Sequence, residues 1–332
     1  MKFPIALHLD MTRYLIQNGL RGNTQFPLVL MLEPTHRCNL QCPGCGRIRE
    51  YHDTLNQDIS LDACLASVDE CPAPVVTVTG GEPLLYPAIG QLVQEILKKG
   101  RHIYLCTNAV LLGQKLSLFR PNIRFTFNVH LDGPMDVHDK IIGQAGVFER
   151  AMAGIREAKK TGFRVTTNTT LYRETEPEEL DLLFHILTQV GVDGMLIAPA
   201  FEYEVVEEEL FLTRDEIIRK FREIEPLISK YNVISTPLYV DFLMGRRNMK
   251  CTPWGNPTRN PRGWKSPCYL ITDGHYETFQ ELMKNTDWDH FASGEDPRCR
   301  HCMMHCGYEP TVVRGLSGSL SDLWRMILWN LH

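Results

Sequence analysis

The chain has 332 residues, an apolar content of 43% and a formal net charge of −5, with acidic and basic residues interspersed. That length accommodates one large α/β domain plus an appendage, and the charge balance argues against nucleic acid as a partner, which would favour a basic surface. No run approaches the ~18–20 apolar residues of a spanning helix, and the N-terminus lacks a signal peptide's apolar core and cleavage site, so a cytoplasmic location is the default expectation. In that compartment the eleven cysteines point, where they cluster, to metal rather than to disulfides.

The opening segment to Gly22, with Tyr14, Leu15 and Ile16, is amphipathic and suits either a membrane surface or packing on its own domain. From there strand-like and helix-like stretches alternate. Strands are expected near 27–33, 75–79, 102–106, 123–131, 163–170 and 193–198. Helices are expected near 60–70, 87–99, 147–161, 177–190 and 213–230, with a short one near 111–117. Ser60 is placed to cap the first of these, and Gly100 and Gly162 stand where helix C-termini belong. Cys64 and Cys71 lie on or near that first helix and read as small buried hydrophobes. Six β/α units in succession imply a parallel sheet whose strand C-termini share one face. Alternation stops near 230, so the fold expected is a partial (β/α)6 TIM-like barrel. Residues 1–25 would form an N-terminal helical segment, 26–235 the barrel, and 236–332 a smaller C-terminal domain. That last part carries Trp254, Trp264, Trp288 and five cysteines, many prolines and few clear periodic elements.

Each strand's C-terminal end offers something chemical. The first leads into Cys38-x3-Cys42-x2-Cys45, three thiols in one tight loop. A closed zinc site or an ordinary iron–sulfur cluster wants four ligands. Three thiolates would hold a [4Fe–4S] cluster with one iron open to a substrate. The competing reading is a zinc site completed by His36 or His52. The second strand leads into Gly80-Gly81-Glu82-Pro83, where glycines let backbone approach a ligand and Glu82 can meet an ammonium group. The third ends at Cys106-Thr107-Asn108, the fourth at Asn128-Val-His130-Leu-Asp132, the fifth at Asn168 and the sixth at Pro199. Alternation puts Asn128, His130 and Asp132 on one face, where they read as site residues or as core polar groups and turn formers.

Cys299-x2-Cys302-x3-Cys306 forms a second thiol triplet, with Cys268 the first choice for a fourth ligand and Cys251 the reserve. This set suits an iron–sulfur cluster or zinc. The stretch 320–331 has helical spacing and a broad apolar face; it suits a bilayer surface or, the commoner fate, docking on its own domain.

The three-cysteine loop followed by Gly-Gly-Glu-Pro resembles the radical S-adenosylmethionine (SAM) superfamily. The whole chain further resembles the hopanoid-biosynthesis radical SAM enzymes, the adenosylhopane synthases. The resemblance runs through FPLVLMLEP at 26–34, DECPAPVV at 69–76, GGEPLL at 80–85, YLCTNA at 104–109 and VHLDG at 129–133. More specific are CTPWGNPTRN at 251–260, PCYL at 267–270 and HCGYEPT at 305–311. Gly44 departs from the aromatic that many superfamily members carry before the third cysteine.

The resemblance implies that Cys38, Cys42 and Cys45 bind the cluster. Gly80, Gly81 and Glu82 would hold the methionine end of SAM, with Asn108, His130, Asn168 and Pro199 as candidates for the rest. It implies an electron donor such as flavodoxin or ferredoxin, and addition of the 5′-deoxyadenosyl radical to the alkene of diploptene, a lipid that would make peripheral membrane contact useful. A tertiary carbon radical would then remain. Cys106, outside both thiol clusters and at the catalytic end of the barrel, is the candidate hydrogen-atom donor; a buried packing cysteine is the alternative. Rival functions are a radical SAM enzyme that uses an auxiliary cluster on a peptide or small molecule, and a zinc-stabilised binding protein.

Overall fold

The computed structural model describes residues 2–203, 205–206 and 210–331. Six parallel strands form in chain order: β1 (Val29–Thr35), β2 (Val75–Gly80), β3 (His102–Thr107), β4 (Phe125–His130), β5 (Arg164–Leu171) and β6 (Gly194–Pro199). Each neighbours the next, so their C-terminal ends share one rim. This is the expected α/β architecture with a partial parallel barrel. The crossover helices Leu61–Glu70, Ile89–Lys98, Val147–Lys160 and Pro177–Val190 cover one face. There Cys64, Leu92, Ile155 and Leu183 join Leu30, Val76, Ile103, Leu105, Phe127 and Val165 in the main core. Near-continuous apolar runs are what a sheet buried beneath helices demands. Ser60 Oγ accepts from Ala63 N at 3.2 Å, and Cys64 and Cys71 are buried.

The C-terminal part is more regular than its sequence suggests. It adds β7 (Thr258–Asn260), β8 (Gly263–Pro267) and β9 (Thr272–Tyr276) beside β1, so one nine-stranded sheet runs through the described residues. β7 is parallel to β1, and β8 and β9 are antiparallel. These strands are short and turn-rich, which hides their period. Three of the tryptophans pack in or against the core: Trp264 is fully buried and donates to Glu70, Trp288 donates to Met283 O, and Trp254 packs on Trp288.

Two helices differ from expectation. The stretch 213–230 breaks at Ile224 into Arg214–Glu223 and Glu225–Lys230, because Pro226 cannot donate to the preceding turn. The helix Met135–Ile142 follows a Gly-Pro step that reads as a turn. The tail is also corrected. Helix Leu320–Leu331 leaves its apolar stripe in solvent, with Leu320 78%, Trp324 62% and Leu331 62% exposed. It is held by its other edge, through Arg247–Asp322 at 2.7 Å and Phe3 N to Asn330 Oδ1 at 2.9 Å. Helix Ile5–Leu20 likewise exposes Ile5, Leu9, Ile16 and Leu20.

Candidate functional site

The rim begins where β1 runs into the cysteine loop. Leu40 N points at Cys38 Sγ at 3.4 Å, and Asn108 Nδ2, from the end of β3, stands 4.0 Å from the same sulfur. Asn108 Nδ2 also donates to Asn39 Oδ1 at 2.9 Å, tying β3's exit to the loop. Burial, with the charges of Glu82 and Cys45, pushes the Cys38 thiol up to about 11; burial, with Cys45, Cys38 and Asp132, pushes Cys42 up to about 12. Thiols that repel one another as thiolates while half-buried and facing N–H donors need a cation to hold them ionised. The donor set therefore fits an iron–sulfur cluster. His36 and His52 turn elsewhere. His36 Nδ1 meets Thr54 Oγ1 at 3.0 Å and its ring stacks on Tyr51, while His52 Nδ1 lies 3.3 Å from Arg49 O.

Gly80 and Gly81 press against that loop. A Cβ on Gly81 would lie 2.1 Å from Arg37 O and 2.4 Å from His36 O, and Gly80 has φ +114°. Gly81 N donates to Thr35 O at 3.1 Å and Glu82 N to Arg37 O at 2.7 Å. Glu82 is fully buried; its carboxylate accepts from Leu84 N at 3.0 Å, Thr107 Oγ1 at 2.7 Å and Asn108 N at 2.9 Å. Burial outweighs those bonds and raises its pKa to about 7. Glu82 thus joins the exits of β2 and β3 and braces the rim between them.

Across the sheet, polar side chains align by register on the face away from the helices. Cys106 pairs with Asn128, and Asn128 with Thr166. Thr166 Oγ1 donates to Asn128 Oδ1 at 3.0 Å, and Asn128 Nδ2 donates to Cys106 Sγ at 3.6 Å. The sulfur accepts there, and among the described residues its S–H donates to no partner. Burial pushes the Cys106 thiol up to about 11 despite that hydrogen bond. One step further along the sheet His130 pairs with Asn168, and Pro199 closes β6 opposite Leu171. His130 Nε2 stands 2.7 Å from Asp132 Oδ2; burial opposes the imidazolium, but Asp132 prevails and raises the His130 pKa. Asp132 is fully buried, and its Oδ1 accepts from Thr170 N at 2.8 Å. Its backbone N donates to His138 Nδ1 at 3.1 Å.

The second thiol set also comes together. Cys251, Cys268, Cys299, Cys302 and Cys306 line one cavity with Phe201, Tyr269 and Phe291. Burial and mutual repulsion raise Cys299 to about 11 and Cys302 to about 12. As they stand, no three His, Cys, Asp or Glu side chains among the described residues close on a single point in metal-ligand geometry. Sequence reasoning passed over Glu33 and Arg47. Glu33 is fully buried at the end of β1 and pairs with Arg47 Nε at 3.1 Å. A lone carboxylate in the apolar run 26–33 was the available signal.

Residues 32–186 match the radical SAM superfamily, and residues 195–326 match DUF3463, a domain of unknown function. Among curated proteins, GTP 3′,8-cyclase of Clostridium perfringens (strain 13 / Type A) is 28% identical over 171 residues, 49% of this chain and 53% of the cyclase. AdoMet-dependent heme synthase of Oleidesulfovibrio alaskensis is 29% identical over 164 residues, 48% of this chain and 42% of the synthase. The chain therefore spans about half the length of the curated relatives it matches. Among solved structures, Streptococcus suis SuiB bound to precursor peptide SuiA superposes with TM-score 0.64 at 15% identity, over 86% of this chain and 69% of that one; this likeness concerns the fold.

Proposed function

We propose, since residues 32–186 form a radical SAM domain followed by a DUF3463 domain at 195–326, that the protein cleaves SAM reductively and directs the resulting radical onto a substrate held at the barrel rim. The observation that carries this reading is the half-buried Cys38–Cys42–Cys45 loop packed against Gly80-Gly81-Glu82. Those three thiols would hold a [4Fe–4S] cluster, which when bound supplies the electron that splits the sulfonium into methionine and a 5′-deoxyadenosyl radical. Gly80, Gly81 and Glu82 would receive the methionine end, with Asn108, His130, Asn168 and Pro199 around the remainder. The decisive experiment is anaerobic incubation with SAM and a strong reductant, reading 5′-deoxyadenosine and adenosylated products by mass spectrometry. Protein that yields neither overturns the reading.

The finer reading is addition of the adenosyl radical to the alkene of diploptene. Its support is the sequence resemblance in 251–260, 267–270 and 305–311. The 5′-carbon bonds to the terminal alkene carbon and leaves a tertiary carbon radical. Cys106 suits the next step: its S–H donates to no partner among the described residues, and its raised pKa keeps it a thiol. Transfer of that hydrogen atom gives adenosylhopane and a thiyl radical. One electron from a donor such as flavodoxin or ferredoxin, plus a proton, restores the thiol. Lipid extraction after incubation with diploptene tests this reading.

A second reading, modification of a peptide or small molecule with help from an auxiliary cluster at the C-terminal thiols, has its own support. The relatives named above are a GTP cyclase and a heme synthase, and SuiB was solved with a peptide. The row Cys106–Asn128–Thr166 is also polar, which suits a substrate with hydrogen-bonding groups better than a hydrocarbon. Of the two, the relatives favour this one.

A further inference from the structure

The two thiol sets come from opposite ends of the chain, yet one side chain reaches from one to the other. Arg47 stands two residues after Cys45 in the short helix Gly46–Glu50. Its Nη2 donates at 2.6 Å to the backbone carbonyl of Tyr269, the residue that follows Cys268. The guanidinium also lies 4.2 Å from the Tyr269 ring centroid. Its Nε meets buried Glu33 at 3.1 Å, and Nη1 meets Glu50 at 3.4 Å. Lys265, itself buried, donates to the same Tyr269 carbonyl at 2.9 Å and stands 3.4 Å from Glu50. Two cations on one carbonyl, with two carboxylates behind them, make a buried clamp whose parts are fixed by planar guanidinium geometry.

A second contact bridges the same gap. The Tyr203 ring occupies the place a Cβ on Gly46 would need, at 2.5 Å. Phe201 continues from it into the apolar cluster that includes Cys268, Cys299, Cys302 and Cys306.

We propose that Arg47 is a positioning residue that couples the two thiol sites, setting the Cys38–Cys45 loop against the backbone at Cys268 so that the condition of the C-terminal site is felt at the SAM site. The effect at the SAM site rests on the reading that both thiol sets bind metal, whereas the mechanical link between the two loops does not. The test uses the full chain purified anaerobically and compares wild type with Arg47→Gln, Arg47→Lys and Cys268→Ser. Iron per chain, the electron paramagnetic resonance signal of the reduced protein with and without SAM, and the SAM Kd are measured.

Arg47→Gln is expected to keep iron at the N-terminal thiols, to lose the SAM-dependent change in signal, and to raise the SAM Kd about tenfold. Arg47→Lys should recover only part of this, since an ammonium keeps the charge but not the fork. Cys268→Ser should alter the N-terminal signal from 223 residues away in sequence. Wild-type signals and Kd in Arg47→Gln, or an unaltered N-terminal signal in Cys268→Ser, overturn the coupling. If Arg47→Gln fails to fold because Glu33 is left without its cation, Glu33→Gln/Arg47→Gln removes both charges and is judged by the same readouts. If the wild type binds no iron, the functional reading falls. Coupling is then decided in the reduced metal-free protein by alkylation rates: Arg47→Gln should speed Cys45 severalfold and leave Cys106 unchanged, and equal rates overturn it.

Discussion

At the scale of single residues, the site depends on groups whose protonation is set by burial. Among the described residues His36 is not a substitute ligand for Cys38, Cys42 or Cys45, because Thr54 and Tyr51 engage it. Replacing any one of them by Ala should leave the fold intact, as judged by circular dichroism, and abolish 5′-deoxyadenosine formation. Cys106→Ala should behave differently. Under the adenosyl-addition reading, SAM cleavage and carbon–carbon bond formation should persist, quenching should slow or lose facial control, and deuterium from heavy water should no longer enter at the new stereocentre. Wild-type rate, configuration and labelling in that variant would make Cys106 a packing residue. His138 gives a pH prediction. Its Nδ1 accepts from Asp132 N, which requires a neutral ring, and burial lowers its pKa from 6.5 to about 4. The unfolded chain binds the extra proton below pH 6.5, so this contribution is complete above 6.5 and is lost as pH falls towards 4. At about 1.4 kcal/mol per pH unit that is roughly 3 kcal/mol. His275, lowered to about 4 by burial and by Lys265 and Arg262, steepens the same slope. Urea unfolding at pH 7.5 and 5 should show a smaller acid loss for His138→Gln than for wild type; equal losses refute the assignment.

At the scale of elements, the Gly80-Gly81 corner is where β2 meets β1's exit. Alanine at 81 must displace the carbonyls of His36 and Arg37, which are backbone and cannot swing aside. Gly81→Ala should cost about 1–3 kcal/mol in thermal unfolding, as overpacking does, and weaken SAM binding with all three thiols present. A stable variant with wild-type SAM affinity would show that the corner has slack. The same corner marks how far local pattern carries. The strands were legible because each is a short apolar run ended by turn residues, and the helices because period 3.6 and caps such as Ser60 agree. The break at Pro226 was a local signal too weak against the run of helix formers around it.

At the scale of the whole molecule, two surfaces and two thiol sites are in play. Cys38→Ala/Cys42→Ala/Cys45→Ala should still carry metal if Cys268, Cys299, Cys302 and Cys306, with Cys251 on the same cavity, form their own site. Zinc would mark that site as structural, iron and sulfide as a cluster, and a folded metal-free triple variant would refute it. No helix among the described residues is long and apolar enough to cross a membrane. The exposed stripes of Ile5–Leu20 and Leu320–Leu331 are amphipathic surfaces of the kind that lie on bilayers. Truncation before Ser319 should weaken co-sedimentation with liposomes more than activity on detergent-dispersed substrate; unchanged sedimentation removes the membrane role.

The six parallel strands were readable from the β/α alternation along the chain, and the thiol loops and the Gly-Gly-Glu corner from patterns within about ten neighbouring residues. Other features were decided only by tertiary structure. β7 could take β1's open edge only once the barrel left that edge unpaired. Cys251 and Cys268 came to share one cavity through the packing of segments far apart in the chain. The tail stayed exposed because Asp322 and Asn330, not its leucines, found partners. Arg47 met Tyr269 across 222 residues. Propensity and periodicity act over one or two turns of chain, whereas burial and pairing of charges depend on which distant segment arrives, and that is settled only when the core closes.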